Sequence, residues 1–262
     1  MNFFLNFYTY VFGRVAFIKI NYLFIKMGLR GIGVLNHQSD LLSGENHFVS
    51  KVLKSIDAEN RIIIDIGANE GNFTSSIINN SDNIFVKSFE PHPKTFARNR
   101  ERFAMEDRVD VVNCAVGDVN NKISLFDYAD EEGSSQASIH KEIIKGKRKN
   151  VSEIKVKMIT LDSIDFIKKI ELIKIDTEGA EYSVLKGANK TIETHKPKYI
   201  LLEFNRMNVN SRVFLADFIA LLKNYSAYRI LPRGELLQIN QTSAPWRHEI
   251  FAYQNIVFIL ND

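Results

Sequence analysis

Short apolar runs alternate along this chain with stretches whose apolar residues recur at helical spacing, and that alternation predicts an α/β fold. Ile62-Ile63-Ile64, behind Arg61, is the kind of run that fills a strand buried on both faces, and Phe73 to Asn79 follows as a helix. Asn83 to Glu90 reads as a second strand, stopped by Pro91-His92-Pro93, and Val109 to Asp118 as a third that runs into a turn. Lys174-Ile175-Asp176 ends a fourth strand with a helix after it, and Tyr199 to Phe204 is a fifth. Upstream, Ser43-Gly44-Glu45 leads into a helix over Asn46 to Ile56, with Phe48, Val49, Val52, Leu53 and Ile56 at helical spacing. Between strands three and four, Lys122 to Tyr128 and Ile154 to Ile159 read as two strands flanking a polar loop, Asp130 to Asn150. Past the fifth strand, Ser211 is placed to cap a helix reaching Lys223, with Val213, Phe214, Phe218, Leu221 and Leu222 on its apolar side. Ala227 to Leu231, Leu236 to Ile239 and Asn255 to Leu260 then read as strands, and no internal repeat is visible.

The segment Asp65-Ile66-Gly67-Ala68-Asn69-Glu70-Gly71-Asn72-Phe73 joins the first strand to its helix. A strand, a glycine turn and a helix N-terminus in that order make a nucleotide-type cofactor site. The dinucleotide fingerprint Gly-x-Gly-x-x-Gly wants glycine where Asn69 stands, and here the next glycine is Gly71. An acid-ended strand followed by Gly-x-Asn-x-Gly fits S-adenosylmethionine better than NAD. Glu90 ends strand two roughly twenty residues past that turn, the usual place of a ribose-hydroxyl acceptor. A carboxylate accepts both hydrogen bonds of a vicinal diol, which suits Glu90 to the task.

The ordered set DIGANEGNF, SFEPHP, VVNCAVGD, ITLDSI, LIKIDTEGAEYSVLKGA and YILLEFN resembles the FkbM family of S-adenosylmethionine-dependent methyltransferases, over Leu41 to Phe204. The family pattern usually carries Asn where His92 stands. The resemblance implies a Rossmann-like class I methyltransferase fold, a mostly parallel seven-stranded sheet with an antiparallel terminal strand, for which Asn255 to Leu260 is the candidate. It implies a methyltransferase domain over 41–262 behind an N-terminal helical extension over 1–40. The implied activity is O-methylation of a hydroxyl on a sugar, in a glycan or a glycosylated metabolite, with the flanks of the matched region choosing the acceptor. For the cofactor, Asp65 fixes the turn and reaches the amino group, Gly67 and Gly71 give backbone room, and Asn69 bonds the methionine moiety. Glu90 takes the ribose, Ala115 and Val116 flank the adenine, and Asp118 is a further hydrogen-bonding group in that turn.

Ligands in open α/β sheets sit beyond the carboxyl ends of the strands, which puts Asp176 and Glu203 on that rim. A hydroxyl needs its proton removed before it attacks, so Asp176 is the candidate base or acceptor-orienting group, weighed against a plain helix cap. Glu178 is a candidate to orient substrate, weighed with Glu181 against acids that merely favour a helix's first turn. Glu203 is a base partner, or with Asp176 a pair of ligands for a divalent ion; the expectation is no metal. His140, in the serine-rich stretch Gly133 to His140, is a further candidate base, and Lys141 to Lys149 a solvated basic edge. Trp246, Arg247 and His248 read as an acceptor wall, weighed for Trp246 against plain core.

The 262 residues, 45% hydrophobic, suffice for one full core, and a net charge of +3 without a basic aromatic stripe gives no case for nucleic acid. The one cysteine, Cys114, rules out an intrachain disulfide and fits a reducing, cytoplasmic setting; the six scattered histidines make no zinc site. The first thirty residues crowd nine aromatics with Arg14, Lys19, Lys26 and Arg30, and no acid precedes Asp40. Arg14 and Lys19 interrupt any spanning helix, and the marks of a secretory signal are missing. Two readings stand: a helical cap packed on the domain or on the second subunit of a homodimer, and a helix lying on the inner face of a membrane. Two other function classes stand beside the methyltransferase: a catalytically inactive binding module, and an NAD-dependent oxidoreductase.

Overall fold

The computed structural model describes residues 2–56, 60–128, 138–139, 151–240 and 242–261. Its strands are β1 (Arg61–Ile66), β2 (Ile84–Phe89), β3 (Val109–Val112), β4 (Ala115–Val116), β5 (Asn121–Tyr128), β6 (Val151–Ile159), β7 (Lys169–Ile175), β8 (Tyr199–Phe204), β9 (Tyr225–Ile230), β10 (Leu236–Gln238) and β11 (Gln254–Leu260). The helices used below are α1 (Asn2–Phe12), α2 (Ile18–Gly31), α4 (Glu45–Ser55), α5 (Asn72–Asn80), α6 (Pro93–Arg102), α7 (Glu181–Lys186), α8 (Asn189–His195), α9 (Met207–Ser211) and α10 (Leu215–Leu221), with a single turn, α3 (Asp40–Ser43), before α4. Eight strands form the main sheet, in the order β10-β9-β11-β8-β7-β1-β2-β3. β11 runs antiparallel between β8 and β9, and β10 adds a short hairpin edge to the seven strands expected.

Strand periodicity sorts the core into two layers. Ile63, Leu201 and Val257 point to one face, where they meet Phe48, Val49, Val52 and Leu53 of α4 and Phe73 and Ile77 of α5. Their neighbours Ile64, Leu202 and Phe258 point to the other, against Val184 and Leu185 of α7, Ile192 of α8 and Leu215 and Phe218 of α10. Both faces are covered, which is why β1, β7 and β8 are apolar runs and not alternating ones.

Two elements depart from expectation. The third strand divides at Asn113, whose side chain donates to the carbonyls of Glu90 (2.9 Å) and Pro91 (3.1 Å). That bend leaves β3 beside β2 and sends β4 into a second sheet, β4-β6-β5. Ser211 caps nothing. It ends α9, Arg212 turns left-handed at φ 56°, and α10 starts three residues later, with Asp217 accepting from the Phe214 N–H at 2.8 Å. Glu249 takes the next two N–H groups, of Leu215 (2.9 Å) and Ala216 (2.8 Å), so the cap comes from far along the chain.

The helical part of the N-terminal extension ends at Gly31, and the residues after it join the domain: Val34 and Asn36 are buried, and the Leu35 N–H donates to the Tyr253 carbonyl at 2.8 Å. If β11 is the inserted central strand, Phe258→Ala should cost about 3–5 kcal/mol in urea unfolding, and Leu237→Ala on the edge no more than about 0.5 kcal/mol. Equal losses would contradict the topology.

Candidate active site

The glycine turn is set by close backbone approaches. Gly67 has φ +82°, and a Cβ there would lie 1.8 Å from the Asp176 carbonyl oxygen, so no other residue fits. The N–H groups of Gly67 and Ala68 both donate to the Phe89 carbonyl at 3.0 Å, fastening the turn to the end of β2. Asn69 follows in a left-handed conformation, φ +47°, which its side-chain type tolerates. Beneath the turn, Asp65 is fully buried and accepts from the Thr74 hydroxyl of α5 at 2.7 Å. Burial pushes its pKa up, opposed by the ammonium of Lys174.

Beyond β1 and β2 opens a cavity of about 260 Å³. Glu90 projects into it, held by two backbone donors: the Asn69 N–H to Oε2 and the His92 N–H to Oε1, both at 2.8 Å. Burial raises its pKa to about 7 in spite of those two bonds. The opposite wall is an apolar slot of Cys114, Ala115, Val116, Leu125, Ile139 and Met158. Leu125 and Met158 come from the second sheet, whose alternating pattern in β5 and β6 is the sequence signal that marks them as inward-facing. That sheet is tied to the end of β2 by His92 Nε2 and Asp127 Oδ2, 3.5 Å apart and both buried. His92, which departs from the family pattern, thus serves as an anchor for the insertion.

Carboxylates crowd the other end. Asp176, just past β7, lines the cavity and accepts from Lys174 Nζ at 3.2 Å. Glu178 lies in the loop before α7 at φ +53°, not in a helical turn. Glu181 does open α7, and its Oε1 accepts the N–H groups of Thr177 and Gly179, each at 3.0 Å, so it shapes that loop. Glu203, near the end of β8, has its pKa driven well up by burial and by the charges of Asp176 and Glu178. Glu178 and Glu203 also line a second cavity, about 610 Å³, walled by Leu35, His37, Arg206, Met207, Phe251 and Tyr253. His37 and Tyr253 meet edge to face at 5.6 Å.

The model of the methyltransferase FkbM domain matches residues 65–229, which hold this turn, Glu90 and all four of these acids. The chain belongs to the FkbM methyltransferase family. Among similar proteins, the 2-O-methyltransferase NoeI of Sinorhizobium fredii is 25% identical over 197 residues, 70% of this chain and 80% of NoeI. Methyltransferase 1 of Beauveria bassiana is 27% identical over 149 residues, 49% of this chain and 59% of that protein. Of solved structures, the plantazolicin methyltransferase BpumL with S-adenosylhomocysteine superposes at TM-score 0.46 and 10% identity, covering 97% of this chain and 93% of its own.

This FkbM methyltransferase uses S-adenosylmethionine as methyl donor, and the first cavity fits it: a buried carboxylate with both oxygens fixed at one end, an apolar slot for a flat base beside it. Of the residues expected there, Gly67, Asn69, Glu90, Ala115, Val116, Asp176, Glu178 and Glu203 line the cavity. Three do not. Asp65 is turned under the loop onto Thr74. Gly71 precedes α5 at φ +75°, where a Cβ would strike Asn99 Oδ1 at 2.5 Å. Asp118 faces away, bonded by Ser183 (2.8 Å) and paired with Lys186 (2.7 Å). Trp246, Arg247 and His248 line neither cavity; Trp246 is 73% exposed and so is not core either. His140 lies outside the described residues.

If Glu90 takes the ribose diol, its ionised form is the binding form, because hydroxyls donate to a carboxylate. With its pKa near 7, affinity for S-adenosylhomocysteine should rise about tenfold between about pH 6 and about pH 8. Calorimetry on Glu90→Gln should find weaker binding and no such rise; an unchanged profile would remove Glu90 from the site.

Proposed function

We propose that this enzyme methylates a hydroxyl oxygen of a sugar, within a glycan or a glycosylated metabolite. The observation that carries the reading is the shared wall. Glu178 and Glu203 border both cavities, so an acceptor in the second meets carboxylates at the mouth of the first. Bound S-adenosylmethionine supplies an electrophilic methyl group on a sulfonium cation. Asp176 is assigned as the base that takes the acceptor hydroxyl's proton, its carboxylate steadied by Lys174. Glu178 orients a neighbouring hydroxyl. Glu203, whose pKa is pushed well up by burial and the neighbouring charges of Asp176 and Glu178, is assigned as the partner of Asp176 that hydrogen-bonds the acceptor. Phe251, Tyr253 and His37 offer flat faces to a sugar ring, and the oxygen-directed activity of the NoeI relative supports an oxygen acceptor. The setting proposed is cytoplasmic, where the buried Cys114, its thiol pushed up to about 11 by burial, stays an inert core residue.

Asp176→Asn should leave S-adenosylhomocysteine binding intact while lowering turnover by about 10²–10⁴-fold. Unchanged turnover would take Asp176 out of the mechanism. Because the proposal needs no metal, the rate should survive excess EDTA; a rate lost and then restored by Mg²⁺ would contradict it.

A further inference from the structure

The most aromatic part of the chain is also the least covered. α1 and α2 fold back on one another through Tyr8, Phe12, Phe17 and Asn21: Asn21 Nδ2 donates to the Phe12 carbonyl at 3.0 Å, and the Phe12 ring lies 5.0 Å from Tyr8 and 5.1 Å from Phe17. None of α2's residues is buried, and Phe3, at the start of α1, is 86% exposed. Phe4, Phe7 and Tyr10 of α1 and Ile20, Phe24 and Met27 of α2 face outward with it. Ile20, Phe24 and Met27 recur at helical spacing as one row, Ile18, Tyr22, Leu23 and Ile25 are exposed on other sides of α2, and Lys19, Lys26 and Arg30 share one side. Arg14 adds a fourth cation at the bend, and no acid occurs before Asp40.

We propose that α1 and α2 dock this enzyme on the surface of an anionic lipid bilayer, lying in its plane. The chemistry of these side chains matches the two layers of that surface: aromatic and aliphatic side chains for the acyl boundary, ammonium and guanidinium groups for the headgroups. Spanning does not apply, because no helix among the described residues is long and apolar enough to cross a membrane. A second copy of the chain fits less well. A two-fold interface sets a patch against itself, which here would face four cations with four cations and no acid within residues 1–39 to pair with them. The segment leaving α2 supplies Leu35 and His37 to the acceptor cavity, so docking would hold that cavity close to the bilayer. This last consequence rests on the sugar-acceptor reading; the docking itself does not.

The test is flotation of the full chain with vesicles of phosphatidylcholine alone and of phosphatidylcholine with phosphatidylglycerol. The protein should float with the anionic vesicles, at least about tenfold more than with the neutral ones, and salt should weaken it. Lys19→Glu combined with Lys26→Glu should abolish flotation, as should Phe4→Ser combined with Phe24→Ser. Both variants should keep the full thermal shift with S-adenosylhomocysteine, which separates lost docking from a lost fold and from failure of the cofactor site. No flotation at low salt, or equal flotation with neutral vesicles, overturns the proposal. So does a wild-type dimer in light scattering that the phenylalanine variant dissolves, because a second copy would then cover the face.

Discussion

The catalytic rim depends on one buried ammonium. Lys174 sits inside β7 with its side chain almost wholly covered, donating to Asp176 at 3.2 Å and passing 5.2 Å from the ring of Phe73. Burial alone would lower its pKa, but the charges of Asp176, Asp65 and Glu45 outweigh burial and raise it. An ammonium so placed serves two acids, the buried Asp65 and the partly exposed Asp176. Asp65 can stay under the glycine turn and hold α5 through Thr74, while Asp176 lines the cavity and accepts from Lys174. Removing the cation would leave Asp65 without the counter-charge that offsets its desolvation.

Around that centre the sheet does the positioning. Parallel β1, β2, β7 and β8 end on the same side, so Gly67, Glu90, Asp176 and Glu203, far apart in sequence, gather on one rim. Glu203 lies within β8, and Glu90 and Asp176 directly follow β2 and β7; Glu178 is a left-handed loop residue, and Glu181 holds that loop by accepting from Thr177 and Gly179. Burial sets Glu90 near pH 7 beside the glycine turn, and burial with the charges of Asp176 and Glu178 pushes Glu203 well up.

Much of this was readable in the sequence because local rules and tertiary structure agree at the strand ends. Tyr199 to Phe204 is a strand with those very limits, and Gly67, Glu90 and Asp176 sit where a strand–turn–helix reading puts them. The misreadings share a cause, a partner distant in sequence. Ser211 looks like a cap until Asp217 and Glu249 take the N–H groups. Leu125 and Met158 reach the first cavity because β4 pairs with β6 and His92 meets Asp127, contacts that join segments distant in sequence. Tyr253 and His37 meet through pairing of segments more than two hundred residues apart, which no spacing rule reaches.

The most direct test is a crystal structure with S-adenosylhomocysteine bound. The sulfur should lie at the end of the first cavity, within reach of Asp176 and Glu203 and open toward Tyr253 and His37, with the ribose diol on Glu90. Density that puts the sulfur away from these carboxylates, or the ribose away from Glu90, would contradict the account of where and how the methyl group is transferred.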